Sequence, residues 1–259
     1  MRLRMIVLAA ALGGWFLMAP PRSGGQQKGA VYSAPRTPAG KPDLQGVWSV
    51  RNTAWGSLEA HGASYGIRAG ASVIVDPADG KIPYTAAALK RRDENFKNRE
   101  QADPLNKCYL PGVPRVMYLP HPFQILQTPE QIVIASEFAH STRTIYVNGT
   151  SHYADAAFWM GDSRAKWEGD TLVVDAADFN AETWLDMSGN FHGEQMRVVE
   201  RFTRVAPDEM RYEATISDPE VFTRPWTIRM PLYLHREADA QLFEYECHVY
   251  LEDSGRKVN

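Results

Sequence analysis

Short apolar runs that end at turn residues recur along the chain and predict β-strands. Between Met210 and Ile216 the even positions are mainly apolar and the odd positions polar, which is typical of an antiparallel sheet with one dry and one solvated face. The pair Asn148-Gly149 follows the run 144–147 and favours a type I′ hairpin turn. Strands are expected over residues 72–75, 131–134, 144–147, 171–175, 196–205, 209–216, 226–234 and 242–250.

One helix is predicted, over residues 85–101, with Thr85 as its N-cap and with Leu89 and Phe96 on its buried side. A mainly antiparallel sheet of many strands must close or pair with a second sheet to hide its edges. We therefore expect a mainly β fold, either an antiparallel β-barrel or a strongly bent β-sandwich of lipocalin-like type, with one short helix. The expected core residues are Trp48, Trp167, Leu172, Val174, Phe202 and Tyr245.

The amino terminus has the pattern of an export signal. Arg2 and Arg4 precede an apolar run from Met5 to Ala19, which stops at Pro20. This run is shorter than the roughly 20 apolar residues of a membrane-spanning helix. We expect a signal peptide over 1–25, a flexible lead-in over 26–41 and a single β domain over 42–259. The mature protein is then periplasmic or secreted and has no membrane attachment after cleavage.

Composition argues against a nucleic-acid partner and leaves a small molecule as the expected one. The net charge is −3, and the densest basic run, 90–92, is followed directly by Asp93 and Glu94. A phosphate-binding surface needs a clustered basic excess.

Two cysteines, Cys108 and Cys247, lie far apart in the sequence, and export would place them in an oxidising compartment. A long-range disulfide is the favoured interpretation, and two unpaired buried thiols are the alternative.

Several sequence blocks are similar to those of a large family of exported bacterial proteins, most of which have no assigned function. The likeness extends from residue 42 to the carboxyl end, and 46–48 also resembles the first strand of lipocalin-like barrels. The chain departs from the family pattern over 148–153 and after His248. The blocks that carry the resemblance are Asp43–Trp48, Cys108–Arg115, Trp167–Asp175, Phe179-Asn180, Trp184–Asp186 and Glu200–Arg204.

Familiar catalytic motifs are absent from the sequence or lie in the wrong context. Residues 62–66 have the G-x-S-x-G spacing of a hydrolase nucleophile elbow, but no apolar strand precedes them and no helix follows, so a Gly-rich loop is expected. No His-Glu-x-x-His, paired-Cys or dinucleotide-binding glycine pattern occurs, so neither a metal nor a cofactor is predicted. A scattered metal site built from His140, His152 and an Asp stays open as an alternative.

The best candidate site is the polar segment 184–194, which lies between two predicted strands. A histidine beside carboxylates is suited to proton transfer near neutral pH. His192 is therefore the expected proton-transfer residue, with Asp186 or Glu194 holding its tautomer. The alternative is a hydrogen-bonded turn with no catalytic role. The expected substrate-binding residues are Trp184, Arg143, Tyr146, Asn180 and His248.

Three functions are compatible with this sequence. The first is cofactor-independent acid/base chemistry, of the lyase, dehydratase or isomerase type, on an aromatic or polycyclic compound in an aromatic-lined cavity. The second is non-catalytic binding or transport of a small molecule in the periplasm. The third is a carbohydrate-active protein, in which Trp159, Trp184 and Trp226 stack on sugars and two of Asp175, Asp186 and Glu194 form the acid pair.

Overall fold

A computed structural model describes residues 32–64, 66–153 and 155–249. The expected signal peptide, 1–25, and residues 26–31 of the expected lead-in lie outside the described residues. Residues 32–41 include a turn in which the Thr37 carbonyl accepts from the Gly40 amide at 2.8 Å. Among the described helices, none combines the length and the apolar character that crossing a membrane would require.

Nine strands close into a barrel in the order β1-β3-β4-β5-β6-β7-β8-β9-β10, and β10 pairs with β1. β2 is an additional strand that pairs with β10. Every neighbouring pair is antiparallel except β5 and β6, which are parallel. The predicted mainly β, lipocalin-like barrel is confirmed. The strands are β1 (Gly46–Ser49), β2 (Ile74–Asp76), β3 (Phe123–Gln127), β4 (Gln131–Ser136), β5 (Thr142–Tyr146), β6 (Asp162–Glu168), β7 (Thr171–Ala177), β8 (Arg197–Ala206), β9 (Glu209–Ser217) and β10 (Trp226–Leu234).

The predicted helix is present, but its expected buried side is wrong. α1 spans Ala86–Lys97, and the Thr85 hydroxyl accepts from the Ala88 amide at 3.3 Å, as an N-cap should. Leu89 and Phe96 are 41% and 42% exposed, and Ala88 is the buried residue of the helix. A four-residue helix, α2, follows at Arg99–Ala102. Three 3-10 helices lie at Pro104–Lys107, Arg115–Tyr118 and Phe138–His140.

Two local predictions differ from the structure. Gly149 has the positive φ expected of a turn (75°), yet Tyr146 of β5 pairs in parallel with Arg164 of β6. A parallel pair cannot be joined by a two-residue hairpin, so 147–161 leaves the sheet and returns to place Ser163 beside Ile145. Residues 242–246 form no strand either, and Cys247 instead attaches this segment to the rest of the fold.

The disulfide prediction is confirmed. Cys108 and Cys247 are bonded, with their Cα atoms 5.6 Å apart and a sequence separation of 139. The bond joins the carboxyl-terminal segment to the residue that follows the 3-10 helix Pro104–Lys107. It therefore fixes a segment that has no strand pairing of its own among the described residues.

The two ends of the barrel differ in the length of their connections. Short turns at 128–130, 169–170 and 207–208 join strands at one end. At the other end lie the longer connections 178–196 and 218–225, together with the excursion 50–122 that contains both helices. Long loops at one end of a rigid barrel are where binding residues concentrate, and we call this end the loop end.

The barrel interior is filled by side chains from the inward-facing positions of its strands. Of the six expected core residues, Trp48, Leu172, Val174 and Phe202 are buried, whereas Trp167 and Tyr245 are partly buried. The 3-10 helix Arg115–Tyr118 is buried along its whole length. The interior is therefore a packed core of apolar and aromatic side chains, into which a few polar groups are set.

One of these polar groups is a buried ion pair between Arg143 of β5 and Glu200 of β8. The Arg143 guanidinium donates to both carboxylate oxygens of Glu200, at 3.0 Å from Nη1 to Oε1, and its Nε donates to Ser163 Oγ at 2.9 Å. The Tyr212 hydroxyl donates to Glu200 Oε1 at 2.9 Å. Burial, together with the nearby Glu200 charge, raises the pKa of Tyr212 well above its ordinary value. The network is closed, because each charge is paired and hydrogen-bonded.

Removing Glu200 is expected to destabilise the barrel strongly, since Arg143 would stay buried without a counter-charge. Glu200→Ala should lower the free energy of unfolding by about 3–5 kcal/mol. Urea denaturation followed by circular dichroism measures this change. The matched control is Glu168→Ala, which removes an exposed carboxylate 3.1 Å from Arg201 on the same sheet and should have a much smaller effect. Equal losses in the two variants would contradict a role for the buried pair.

Candidate functional site

The predicted site residues are distributed over several places. Arg143 lies in the barrel interior and is committed to Glu200, whereas Tyr146 lies partly buried on the wall, with Arg164 Cζ 4.6 Å from its ring centroid. The segment 178–196 carries the others at the loop end. Trp184, Asp186 and His192 are buried, Asn180 is partly buried, and Glu194 and His248 are exposed.

Asp186 organises the loop 178–196 and ties it to a second loop. One carboxylate oxygen accepts from the Leu58 amide at 2.8 Å and from Asn190 Nδ2 at 2.6 Å. The other accepts from the Ser188 amide at 2.9 Å. Burial is the largest influence on this carboxyl group and raises its pKa from 3.8 to about 6, although the hydrogen bonds from Leu58 and Asn190 act in the opposite direction.

His192 is held in one tautomer by two neighbours. Its Nδ1 lies 2.8 Å from the Gly193 carbonyl oxygen, which can only accept, so Nδ1 carries the proton. In the neutral ring Nε2 then accepts from the Thr183 hydroxyl at 2.8 Å. Burial lowers the pKa of His192, which favours this neutral form.

The Gly193 carbonyl therefore takes the place that Asp186 or Glu194 was expected to occupy beside His192. Both ring nitrogens have partners, and the Asp186 carboxylate is occupied by backbone and amide donors. The Tyr118 hydroxyl also donates to the Leu185 carbonyl at 2.7 Å, which joins the same loop to the buried 3-10 helix. These contacts stabilise the loop as a cap, and a proton-transfer role for His192 stays a prediction.

Four of the clefts formed by described residues have volumes of about 290–440 Å³. None of these four is lined by Trp184, Asp186, His192 or Glu194. The largest of the four, about 440 Å³, lies where β1 ends and β3 begins. We call it the arginine cleft. Its lining residues are Ser49, Val50, Arg51, Asn52, Thr53, Trp55, Gly66, Ile67, Arg68, Pro120, His121, Pro122 and His235.

The charges of the arginine cleft are of one sign. Its lining contains Arg51 and Arg68 but neither Asp nor Glu. The Arg51 guanidinium stacks on the Tyr233 ring, with Cζ 4.4 Å from the centroid. Within the described part of the chain, neither arginine forms an ion pair with a carboxylate. The cleft therefore presents two positive charges that no fixed anion of the described chain neutralises.

The two histidines of the cleft already have partners. Ser49 Oγ lies 2.9 Å from His235 Nε2, and the Glu237 carboxylate is 3.6 Å from His235 Nδ1. His121 Nδ1 lies 3.3 Å from Glu137 Oε1. A neighbouring cleft of about 420 Å³ shares Arg51 and Arg68 and continues to Arg229, which is itself paired with Glu213. Arg51 and Arg68 are therefore the free cationic groups of this surface.

One group of side chains has the composition of a metal site. His152, Asp162 and Asp178 each offer one ligand atom, and these atoms lie within 4.8 Å of one another. His140, which the sequence grouped with His152, instead contacts Glu246, with Nε2 2.9 Å from Oε1.

The G-x-S-x-G segment is a loop, as expected, because Ser64 pairs with Ile67 across a tight turn and no helix follows.

The arginines of the cleft were missed because nothing in their local sequence marks them. Arg51 and Arg68 lie in irregular segments and meet only through the fold.

Glu200, by contrast, is marked in the sequence by the pattern of apolar residues around it. Glu200 lies two residues from both Val198 and Phe202 and therefore points to the same side of β8 as they do. A charged residue thus occupies a dry-face position of this strand. A charge at such a position requires a buried partner.

No protein-family model matches the chain, and no functionally curated protein matches its sequence. The likeness to exported bacterial proteins therefore stays an expectation that rests on the sequence blocks.

The buried Asp186 carboxyl group is expected to make stability depend on pH. Because its pKa is raised from 3.8 to about 6, the folded state binds this proton more tightly than the unfolded state does. Its contribution is therefore greatest below pH 4 and is lost as the pH rises through 6, a change of about 3 kcal/mol.

Urea unfolding of wild type and Asp186→Asn at several values between pH 4 and 7 measures this contribution. The free energy of unfolding of wild type minus that of the variant should fall across the range, since the effects of other groups, such as His192, cancel. Carboxyl ¹³C NMR titration of the wild type supplies the same pKa without a variant. A difference that is constant or that rises with pH would contradict the assignment.

Proposed function

We propose that the protein is a small-molecule-binding β-barrel and that its ligand is a small anion with an apolar body, such as an aromatic carboxylate. The observation that carries this proposal is the arginine cleft. Its Arg51 and Arg68 have no carboxylate partner among the described residues, and Trp55 lies in the same lining. The proposal narrows the carrier function considered from the sequence to one ligand class and assigns the binding site to the loop end.

The dimensions and the chemistry of the cleft support this ligand class. Its volume of about 440 Å³ lies in the range of small-molecule sites, roughly 300–1,000 Å³. Guanidinium groups bind carboxylates through paired hydrogen bonds, and the stacking of Arg51 on Tyr233 limits the freedom of that side chain before a ligand arrives. Trp55 and Ile67 supply apolar surface for the body of the ligand.

Binding without catalysis is better supported than acid/base chemistry at 184–194. The His192 and Asp186 side chains are buried and fully engaged, so a substrate would have to displace the loop to reach them. A carbohydrate-active site is supported less, because Trp184 and Trp226 are buried and Asp175 is paired with Arg197. The disulfide supports an oxidising compartment, in agreement with a proposed periplasmic or secreted location.

Benzoate is a suitable first probe, with benzamide as its neutral counterpart. Isothermal titration calorimetry of the wild type should give a benzoate Kd of about 1 mM or lower, and weaker binding of benzamide. Arg68→Gln and Arg51→Gln should each weaken benzoate binding about tenfold or more, since a hydrogen bond to a charged group contributes about 1.5–3 kcal/mol.

Arg201→Gln is the matched control, because it removes the same charge from the outer wall of β8, away from the cleft. It should leave the benzoate Kd unchanged. Equal weakening in all three variants would show that only net charge matters. That result, or equal affinity for benzoate and benzamide, would contradict the proposed site.

A further inference from the structure

We propose that His152, Asp162 and Asp178 form a binding site for a first-row divalent cation such as Zn²⁺, on the outside of the barrel at the loop end. No motif in the sequence marks this site, because its ligands come from three separate segments. It is also distinct from the arginine cleft, which none of these residues lines. The proposal is therefore independent of the proposed function.

Strand pairing accounts for the approach of the two aspartates. Asp162 is the first residue of β6 and pairs with Ala177, the last residue of β7, and Asp178 follows directly. The crossover 147–161 then brings His152 onto Asp162, with Nδ1 3.0 Å from Oδ2. One donor atom from each of the three side chains lies within 4.8 Å of the others.

Two atoms of the group are buried and have no hydrogen-bond partner. They are His152 Nε2 and Asp178 Oδ2. Buried polar atoms are almost always satisfied. His152 Nε2 faces Asp175 Oδ2 at 3.4 Å, so the unsatisfied oxygen of Asp178 is the atom that indicates a missing partner. A cation held by His152 and Asp162 would replace the proton between Nδ1 and Oδ2, which are 3.0 Å apart, and the ring proton would then lie on Nε2.

The local charge also favours a cation. Three carboxylates, those of Asp162, Asp175 and Asp178, lie in this region, against the guanidinium groups of Arg164 and Arg197. Arg164 Nε donates to Asp162 at 3.0 Å, and Arg197 Nε donates to Asp175 at 2.6 Å. One carboxylate therefore remains without a guanidinium partner, and Asp178 carries the unsatisfied oxygen.

A nitrogen donor with two carboxylate oxygens is a set that zinc accepts, whereas magnesium and calcium prefer oxygen alone. Donors that bind one ion at about 2.0–2.2 Å lie at most about 4.4 Å apart. The observed separation of up to 4.8 Å closes with small side-chain movements. A competing occupant is a proton between His152 Nδ1 and Asp162 Oδ2, which are 3.0 Å apart.

Titration of the EDTA-treated protein, purified after export, with ZnCl₂ tests the site. Calorimetry should show saturable binding, and Zn²⁺ should raise the Tm in a concentration-dependent manner. His152→Gln and Asp178→Asn should each weaken zinc binding at least tenfold. Asn tolerates the positive φ of Asp178 (59°), so the second variant preserves the backbone. Magnesium should not compete.

Asp155→Asn is the matched control, because it removes an exposed carboxylate from the same crossover. It should bind zinc like the wild type, and near-ultraviolet circular dichroism should report the same fold in all variants. The proposal is overturned if wild type takes up no zinc at millimolar concentration, which would leave the proton as occupant. It is also overturned if His152→Gln and Asp178→Asn bind zinc as tightly as Asp155→Asn does.

Discussion

Closure of the barrel depends on a short contact between its first and last strands. Trp48 pairs with Leu234 and Ser49 with Tyr233, and without these pairs β1 and β10 would each leave an open edge. Gly46 makes the approach possible, since a Cβ there would lie 2.5 Å from Leu234 Cδ1, and its φ of 129° is one that L residues rarely adopt. Trp48 is completely buried, and its Nε1 donates to the Leu44 carbonyl at 3.0 Å. The arginine cleft begins at Ser49, so closure also positions the proposed site.

A filled interior determines where such a barrel is able to bind a ligand. Arg143 and Glu200 occupy part of the space that an open lipocalin-like barrel would leave for a ligand, and their two charges neutralise each other within a closed network. Buried residues of the loop 178–196 and the 3-10 helix Arg115–Tyr118 cap the loop end. The groups that stay free to bind are therefore those of the rim and the outer wall.

The sequence predicts most of the fold because strand alternation is a local property. The run 209–216 was recognisable from its alternating pattern and is β9 in the structure. The pairing of β5 with β6 was not predictable, because Asn148-Gly149 favours a hairpin locally while the parallel register depends on distant contacts. The run 242–250 looked like a strand, but the bond of Cys247 to Cys108 determines its position instead.

Site prediction from sequence succeeded less well, for a physical reason. Proximity in sequence correctly placed Asp186 and His192 in one loop, but it could not show that backbone groups at Leu58 and Gly193 would satisfy them. The arginine cleft joins four segments, 49–55, 66–68, 120–122 and residue 235, so no window of the sequence contains it. The unsatisfied atoms of His152 and Asp178 likewise become visible only once the strands are paired.

The most direct test of the account is a crystal structure of the protein with 4-bromobenzoate, located by the anomalous signal of bromine. If the arginine cleft is the binding site, the bromine atom lies against Trp55 and Ile67, and the carboxylate lies within hydrogen-bonding distance of Arg51 or Arg68. Bromine density inside the barrel beside Arg143, or beneath the loop 178–196 at His192, would contradict ligand binding at the arginine cleft. It would show instead that the ligand binds in the barrel interior or under that loop.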